Sequence, residues 1–467
     1  MAAVDWDPVV WAEVQFGTCE LGDRRRNKRL VNMAQQFAAR PDASTPQQTE
    51  TWGDLKAAYR LFDTEDVTPA AIREPHCQST REGCQRGDIK LIICDTTELD
   101  YTKHKQVRGL GPIGNGRGRG LLAHTALMVD AKTGAADGIA AQEFLYRKAS
   151  GSQKKPGKNT IRRSADRESA VWGRVIDAVG RPPEGVIWLH VCDRAADDYE
   201  VFQRAIHQGC GCVIRASRLN RKVITSEGQA LPLSQVLAAL PPQGERDIPV
   251  PAQGNQRART ARVTLRFGSV SLPVPVVLTP WLKTHRPTQP LKLQVVVLVE
   301  LDPPKGVTPI RWVLYTTQPV TTIDQANIVI GYYEMRWTIE DFHKCWKTGC
   351  HVEERQYETA ARLERLAAVT AIVAVRLLQL RTAARETPQA LAETLAPKRW
   401  VALLRVVRKI PANKPLTIRD FVRQLAGLGG FLLRKHDGEP GWQTIWRGYE
   451  TLTLMARGAD AMMQKCG

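Results

Sequence analysis

YYEMRWTIEDFHKCWKTG, residues 332–349, carries two stripes at helical spacing. Tyr333, Arg336, Glu340 and Lys347 follow one another at steps of 3, 4 and 7, which places them on one face of a helix over about 332–348. Ile339, Phe342 and Trp346, at steps of 3 and 4, form a second face that buries against the rest of the chain. An anchored helix thus presents a phenol, a guanidinium, a carboxylate and an ammonium together. An ordinary surface helix with an Arg336–Glu340 ion pair, worth about 0.2–0.5 kcal/mol, explains this spacing equally well on its own. The two readings separate upstream.

Two apolar runs end in aspartate: residues 91–94 before Asp95, in CDTTELDY, and residues 186–192 before Asp193, in VCDRAAD. A carboxylate directly after a strand lies at the carboxyl edge of a sheet, where α/β folds hold their ligands. On neighbouring strands two such groups repel unless a cation lies between them, and hard oxygen donors favour Mg²⁺. Each Asp taken singly is equally a turn cap. With Glu340 as a third acid, the set reads as a two-metal site whose neighbours Arg336 and Lys347 meet the phosphates of an in-line displacement.

The chain has 66 Lys plus Arg against 48 Asp plus Glu, a net charge of +18, as expected of a protein that neutralises phosphates. Its longest apolar run, residues 366–375, is short of the ~20 needed to span a bilayer, and the N-terminus shows no basic-then-apolar leader. The expectation is a cytoplasmic protein without a membrane partner. Ten cysteines are scattered with no CxxC pair, which reads as reduced, mostly buried thiols.

At 467 residues the chain exceeds a single core and reads as two or three domains. Residues 1–75 form short helices with Trp11, Val14, Leu21, Leu30, Met33, Phe37, Tyr59 and Phe62 as the apolar set and a polar break at 41–48. Residues 76–385 alternate strands (91–94, 121–129, 186–192, 212–216) with a helix at 197–208. Within them, residues 220–305 turn β-rich and Pro-rich, as in 262–273 and 291–301, and read as an all-β insertion. After a strand at 310–316 the pattern is helical: 323–348, 360–385, 417–433 and 441–463, with 386–467 as the last domain. The stripe Trp442, Trp446, Tyr449 and Leu452 belongs inside that domain or at a dimer interface. Residues 109–120, with six glycines and two arginines, and 147–163, with seven basic residues and no acid, read as mobile DNA-facing loops.

These residues resemble a known family, the bacterial DDE transposases of the transposon-five type within the insertion-sequence-four superfamily. Its signature Tyr-x2-Arg-x3-Glu-x6-Lys is met by Tyr333, Arg336, Glu340 and Lys347, and its first two acids by Asp95 and Asp193. The likeness runs from ELGDRRRNKRLVNMA through DPPKG and RWVLYTTQPV to AVRLLQLR and LAGLGGF. It implies an RNase H-like catalytic core with an inserted β-subdomain, flanked by an N-terminal helical DNA-end-binding domain and a C-terminal helical dimerisation domain. Asp95, Asp193 and Glu340 would hold two Mg²⁺ ions per active site, with Mn²⁺ able to substitute. Arg336 and Lys347 become phosphate contacts and Tyr333 a neighbour of the cleaved end. Trp312, in RWVLYT, matches a tryptophan that stacks on a flipped base, although a strand tryptophan is more commonly core. Arg25, Arg26 and Arg29, within five basic side chains at 24–29, match arginines that approach the transposon end; Arg215 and Arg218 match DNA-binding cations.

The resemblance further implies double-stranded transposon ends and target DNA as partners, a homodimer that pairs two ends, and nicking, hairpin formation and strand transfer without a covalent protein intermediate. There are departures: Arg24 stands where the family often has proline, the region of Arg117 is richer in glycine, and HVEERQYE after Lys347 gains one residue. The rival readings are an inhibitory relative with a decayed site and another RNase H-like nuclease; an intact triad and an arginine-rich N-terminal segment favour end pairing.

Overall fold

The computed structural model describes residues 7–148, 157–250, 258–394, 396–434 and 436–466. Its centre is a sheet begun by β1 (Ile89–Asp100), β2 (Gly111–Ile113), β3 (Gly118–Asp130) and β4 (Ala136–Leu145), followed by β5 (Ile187–Cys192) and β6 (Gly211–Arg215). β3 pairs antiparallel with β1, β2 and β4, while β1, β5 and β6 run parallel. Helices α6 (Lys158–Arg163) and α7 (Ala170–Val179) lead from β4 to β5, and α8 (Tyr199–His207) crosses from β5 to β6. An antiparallel meander followed by crossover-linked parallel strands is the RNase H-like arrangement expected from the sequence.

Both faces of this sheet are covered, which explains why its strands read as continuous apolar runs. Leu91, Ile93, Leu189 and Val191 bury on one side; Ile92, Cys94, Trp188 and Cys192 bury on the other, against α7 and α8. β1 does not stop at Asp95. It stays laddered to β3 as far as Asp100, paired with Gly120, whereas β5 ends at Cys192. Asp95 therefore lies mid-strand with respect to β3 and at the carboxyl edge only with respect to β5. A Cβ on Gly120 would sit 2.1 Å from the Leu99 carbonyl, so glycine is required where β1 and β3 pass.

The glycine-rich stretch 109–120 is thus the β2–β3 hairpin and not a loose loop. Of the basic stretch 147–163, residues 149–156 lie outside the described residues, 158–163 are helical, and Arg147 is fixed to Glu98 and Glu168 at 2.6 and 2.8 Å.

The β-rich insertion holds β7 (Lys222–Ile224), β8 (Ala230–Pro232), β9 (Gly244–Val250), β10 (Arg259–Leu272) and β11 (Leu291–Glu300). It is not all-β, because α9 (Leu233–Ala239) buries Leu233 and Leu237, and α10 (Pro280–His285) is started by the Thr279 cap and Pro280. Its strands also extend the catalytic sheet: β12 (Arg311–Thr316) pairs antiparallel with both β11 and β6. Val263, Leu265, Val296 and Leu298 on one face, with Val270, Leu293, Val295 and Val297 on the other, continue the two buried layers of the core.

Five helices precede the sheet: α1 (Pro8–Phe16), α2 (Arg24–Ala39), α3 (Thr45–Gln48), α4 (Trp52–Asp63) and α5 (Pro69–Glu82). Trp11, Leu21, Leu30, Met33, Phe37 and Phe62 are buried and Tyr59 half-buried, but Val14 points outward at 63% exposure. After β12 come α11 (Ile323–Glu334), α12 (Trp337–Lys344), α13 (Ala360–Glu386), α14 (Lys398–Val407), α15 (Ile418–Leu428) and α16 (Trp442–Cys466). The long α13 ties the ends of the chain together. Its Arg376, 1% exposed, donates to the Tyr449 hydroxyl on α16 and the Ala38 carbonyl on α2.

The aromatic stripe of α16 packs within the chain. Trp446 stacks on Tyr449 at 4.8 Å, Tyr449 meets Trp400 of α14 at 5.2 Å, and Leu452 is fully buried. Trp446, 4% exposed, is thus packed inside the chain and not at an interface, and α14, absent from the sequence expectation, supplies the Trp400 ring that meets its neighbour Tyr449. Nothing is described of the Trp442 side chain. The described cysteines are free thiols, and among the described residues no helix is long and apolar enough to cross a membrane.

Candidate active site

Strand alternation puts Asp95 on the same face as Leu91 and Ile93, and Asp193 on the face of Leu189 and Val191. Because Cys94 pairs with Cys192 in parallel register, the two carboxylates emerge side by side. Helix α12 packs on that face through Ile339 and Phe342, both fully buried, with Trp346 just beyond, so Glu340 is carried to the same place. Asp95 accepts from the Thr96 N–H at 2.7 Å. Asp193 accepts from the Ala195 N–H at 2.8 Å, capping the tight turn Arg194–Ala196; it is a turn cap as well as a member of the cluster.

The Arg336 guanidinium lies between two of the acids, donating to Asp95 Oδ2 at 3.1 Å and Glu340 Oε1 at 3.3 Å. Even so, the Asp95 carboxyl is pushed up from 3.8 to about 6. Burial is the main cause, with the charges of Asp193 and Glu340 adding to it, against the opposing pull of the Thr96 N–H and Arg336. A carboxylate oxygen from Asp95, another from Glu340 and a ring nitrogen of His343 all lie within 4.8 Å of one another. Asp193 stands outside that group and acts on it through its charge. Hard oxygen donors, one on a largely buried Asp95 and one on a Glu340 open to solvent, suit a divalent cation.

The helix that carries the signature is broken. Arg336 N–H bonds to Tyr333 O at 3.1 Å and Thr338 N–H to Met335 O at 3.0 Å, so the chain tightens at Met335–Arg336. Tyr333 and Glu340 consequently do not share one continuous face. Tyr333 is buried, with its ring edge-on to Trp312 at 5.2 Å and beside Arg215, while Arg336 turns to the acids. Beyond α12, a wide turn over Cys345–Gly349 closes with Cys350 N–H on Cys345 O at 3.0 Å and takes in one residue more than an α turn, beside the stretch where the sequence gains one. Lys347 on this turn donates to the Glu98 carbonyl at 2.5 Å and pairs with Glu353 at 3.2 Å.

Trp312 is half-buried, packed against the core and edge-on to Tyr333. The open indole is Trp337, 63% exposed at the start of α12 with the Arg336 guanidinium 5.4 Å from its ring centre. Sequence reasoning passed over it. Its signal was a tryptophan adjoining the signature arginine and belonging to neither stripe.

The basic residues divide. Arg25 is exposed and bonded to the α2 cap Asp23; with Lys28 and Arg29 it lines a cleft between α2 and α4. Arg26 is committed internally, to Leu21 O at 2.8 Å and Asp66 at 3.0 Å. Arg215 donates to the Arg311 carbonyl at 3.0 Å next to Tyr333, and Arg218 is exposed on a groove with Arg162, Arg221 and Lys222.

Three family models match this chain: Transposase DNA-binding over residues 9–67, Transposase DDE domain over 87–376, and Transposase Tn5 dimerisation domain over 372–465. They carry with them DNA binding, homodimer formation, nucleotidyl-transferase and endonuclease chemistry, and use of a divalent metal. The DDE match alone spans well over half of the sequence, and it encloses Asp95, Asp193 and Glu340. With its segments in the order DNA-binding, DDE and dimerisation around a mixed α/β sheet, the chain belongs to the DDE transposases of the transposon-five type.

Proposed function

We propose that a homodimer of this chain pairs two transposon ends, and that Asp95, Asp193 and Glu340 at each active site hold two Mg²⁺ ions, with Mn²⁺ able to substitute. The observation that carries this reading is the emergence of Asp95 and Asp193 from neighbouring strands, with Glu340 brought to Asp95 by α12, and Asp95 held up to about 6 by burial and its acidic neighbours. Divalent ions bound there would supply Lewis acidity for the scissile phosphate and its attacking oxygen. The reaction is nicking by water, attack of the freed 3′-hydroxyl on the opposite strand to form a hairpin and release the flanking DNA, opening of the hairpin by a second water to restore the 3′-hydroxyl, and attack of that hydroxyl on target DNA, without a covalent bond to the protein.

The chain's own groups position the DNA. Arg336, shared by Asp95 and Glu340, is the cation beside the acids and would bind phosphate oxygens of the DNA there. Lys347 gives its charge to the flanking phosphate from beside Glu98. Trp337 supplies an exposed ring on which an unstacked base can rest, and the half-buried Trp312, edge-on to Tyr333, is the second candidate for that role. Arg25 and Arg29 approach the transposon end, Arg215 and Arg218 the DNA beyond, and Arg26 holds its helix in place. Residues 1–75, 76–385 and 386–467 serve as end-binding, catalytic and dimerising domains, and the substrate places the protein with the bacterial nucleoid. Exposed Leu454, Met455 and Met462 on α16 form the dimerising surface.

Glu340→Gln tests the triad because it keeps shape and removes charge. End binding in Ca²⁺ should survive while nicking in Mg²⁺ falls by orders of magnitude; nicking near the parental rate would remove Glu340 from the metal site.

A further inference from the structure

His343 follows Glu340 by three residues on α12, so one turn of helix presents a carboxylate and an imidazole to the same region. The side chain is 7% exposed, and its Nε2 is buried without a hydrogen-bond partner. An aromatic ring that only filled space beside Phe342 would need no nitrogen. The charged and titratable groups that face it are Asp95 and Glu340, with Lys347, His124 and Arg336, and its Nε2 makes no hydrogen bond to any of them. Oxygen atoms of Asp95 and Glu340 lie within 4.8 Å of one of its ring nitrogens.

We propose that His343 is a nitrogen ligand of the divalent cation held by Asp95 and Glu340. The inference rests on the metal-site reading above and adds a donor to it. Helices that pair a glutamate with a histidine three residues later deliver both to one ion in the di-iron and di-manganese bundles, so the spacing is geometrically sufficient. A mixed nitrogen and oxygen set also has a chemical consequence. Imidazole suits transition metals better than Mg²⁺, so His343 raises affinity for Mn²⁺ over that of the three carboxylates while contributing little toward Mg²⁺.

The test is Mn²⁺ alone, titrated into the full-length protein and read by electron paramagnetic resonance with spin-echo modulation from nitrogen. The parental protein should bind Mn²⁺ with a coupling characteristic of one imidazole. In His343→Gln that coupling should vanish and Mn²⁺ affinity fall about tenfold or more, with Mg²⁺ competition little changed. His124→Gln, which removes the other nearby imidazole, should keep the coupling. Mn²⁺ bound in a Glu340-dependent way without nitrogen coupling, or with coupling that persists in His343→Gln, overturns the assignment of His343 and leaves the carboxylate site standing. Mn²⁺ binding indifferent to Glu340→Gln overturns the carboxylate reading, and His343 falls with it. Should His343→Gln fold poorly, the parental and His124→Gln spectra decide: absence of coupling in the parental protein, or its loss in His124→Gln, rejects His343.

Discussion

The acids at the β1–β5 edge and the arginines at the start of α2 are both dense clusters of charge, and the protein treats them in opposite ways. Asp95 and Arg336 have side chains 18% and 13% exposed, and α12 is anchored by fully buried Ile339 and Phe342. Arg25, by contrast, is 89% exposed and leans only on its own helix cap. Charge held out of water is costly unless matched, so Asp95, beside Asp193 and Glu340, stores an unmet demand for positive charge at a fixed position. Charge left in water costs little and stays free to meet a polyanion, at the price of salt sensitivity. The first arrangement suits chemistry at one phosphate; the second suits adhesion to many.

The largest expected effect tests whether the acids act as a unit. Asp95→Asn, Asp193→Asn and Glu340→Gln should each lower single-turnover nicking in Mg²⁺ by orders of magnitude, and Asp95→Asn combined with Glu340→Gln should cost little more than either alone. Multiplicative losses in the double variant would show that the two acids act independently, and the contrast with the arginines would collapse.

Stability should reveal the same stored demand. Asp95 titrates near 6 in the fold against an ordinary 3.8, so its contribution is full below about 3.8 and is lost as the pH rises through about 6. Above that pH, in the absence of metal, the ionised group opposes folding by on the order of 1–3 kcal/mol. The rise in Tm on adding Mg²⁺ should therefore be larger at about pH 8 than at about pH 5, and Asp95→Asn should flatten that difference. A Mg²⁺ effect independent of pH would mean that Asp95 is not the group that senses the ion.

A third comparison sets two positions on one helix against each other. Trp446 is 4% exposed within the chain and Leu454 is 52% exposed. Trp446→Asp should unfold the C-terminal helices, lowering Tm by several degrees as core disruption does. Leu454→Asp should leave Tm nearly unchanged and weaken the dimer, as measured by sedimentation. An intact dimer in Leu454→Asp moves the interface elsewhere.

The legibility of these regions follows from the same physics. The strands before Asp95 and Asp193 were readable because both faces of the sheet are buried, which turns a strand into a plain apolar run. Glu340 was readable because its helix has one buried stripe at fixed spacing. The break at Met335–Arg336 was not, since no proline or glycine marks it and only i→i+3 bonding creates it. Trp312 read as a strand tryptophan of the core, and its half-burial fits that reading, but its edge-on contact with Tyr333 comes from another element and is not encoded locally. The β-rich insertion was recognised by texture, but its pairing through β12 to β6 is a long-range choice that local pattern does not encode. His343 sat in plain view inside the deciding stretch; nothing in periodicity separates a buried histidine with an unmet nitrogen from one that only packs.

The smallest effect is the sharpest test of the basic side, because it divides three arginines that the sequence could only group. Arg25 and Arg29 line the open cleft with Lys28, whereas Arg26 is bonded to Leu21 O and Asp66. Arg25→Ala or Arg29→Ala should weaken binding to transposon-end DNA by about 1–3 kcal/mol where the side chain reads a base, or lower the salt slope by about one where it meets phosphate only. Tm should not move. Arg26→Ala should do the reverse, with an unaltered salt slope and a stability loss of about 0–1 kcal/mol, since its partner Asp66 is 73% exposed and such pairs are weak. A salt slope reduced equally by all three changes would mean that Arg26 releases Asp66 on binding DNA. The α2 cluster would then be a surface rearranged by its ligand, closer in kind to Arg336 among the acids than the free chain suggests.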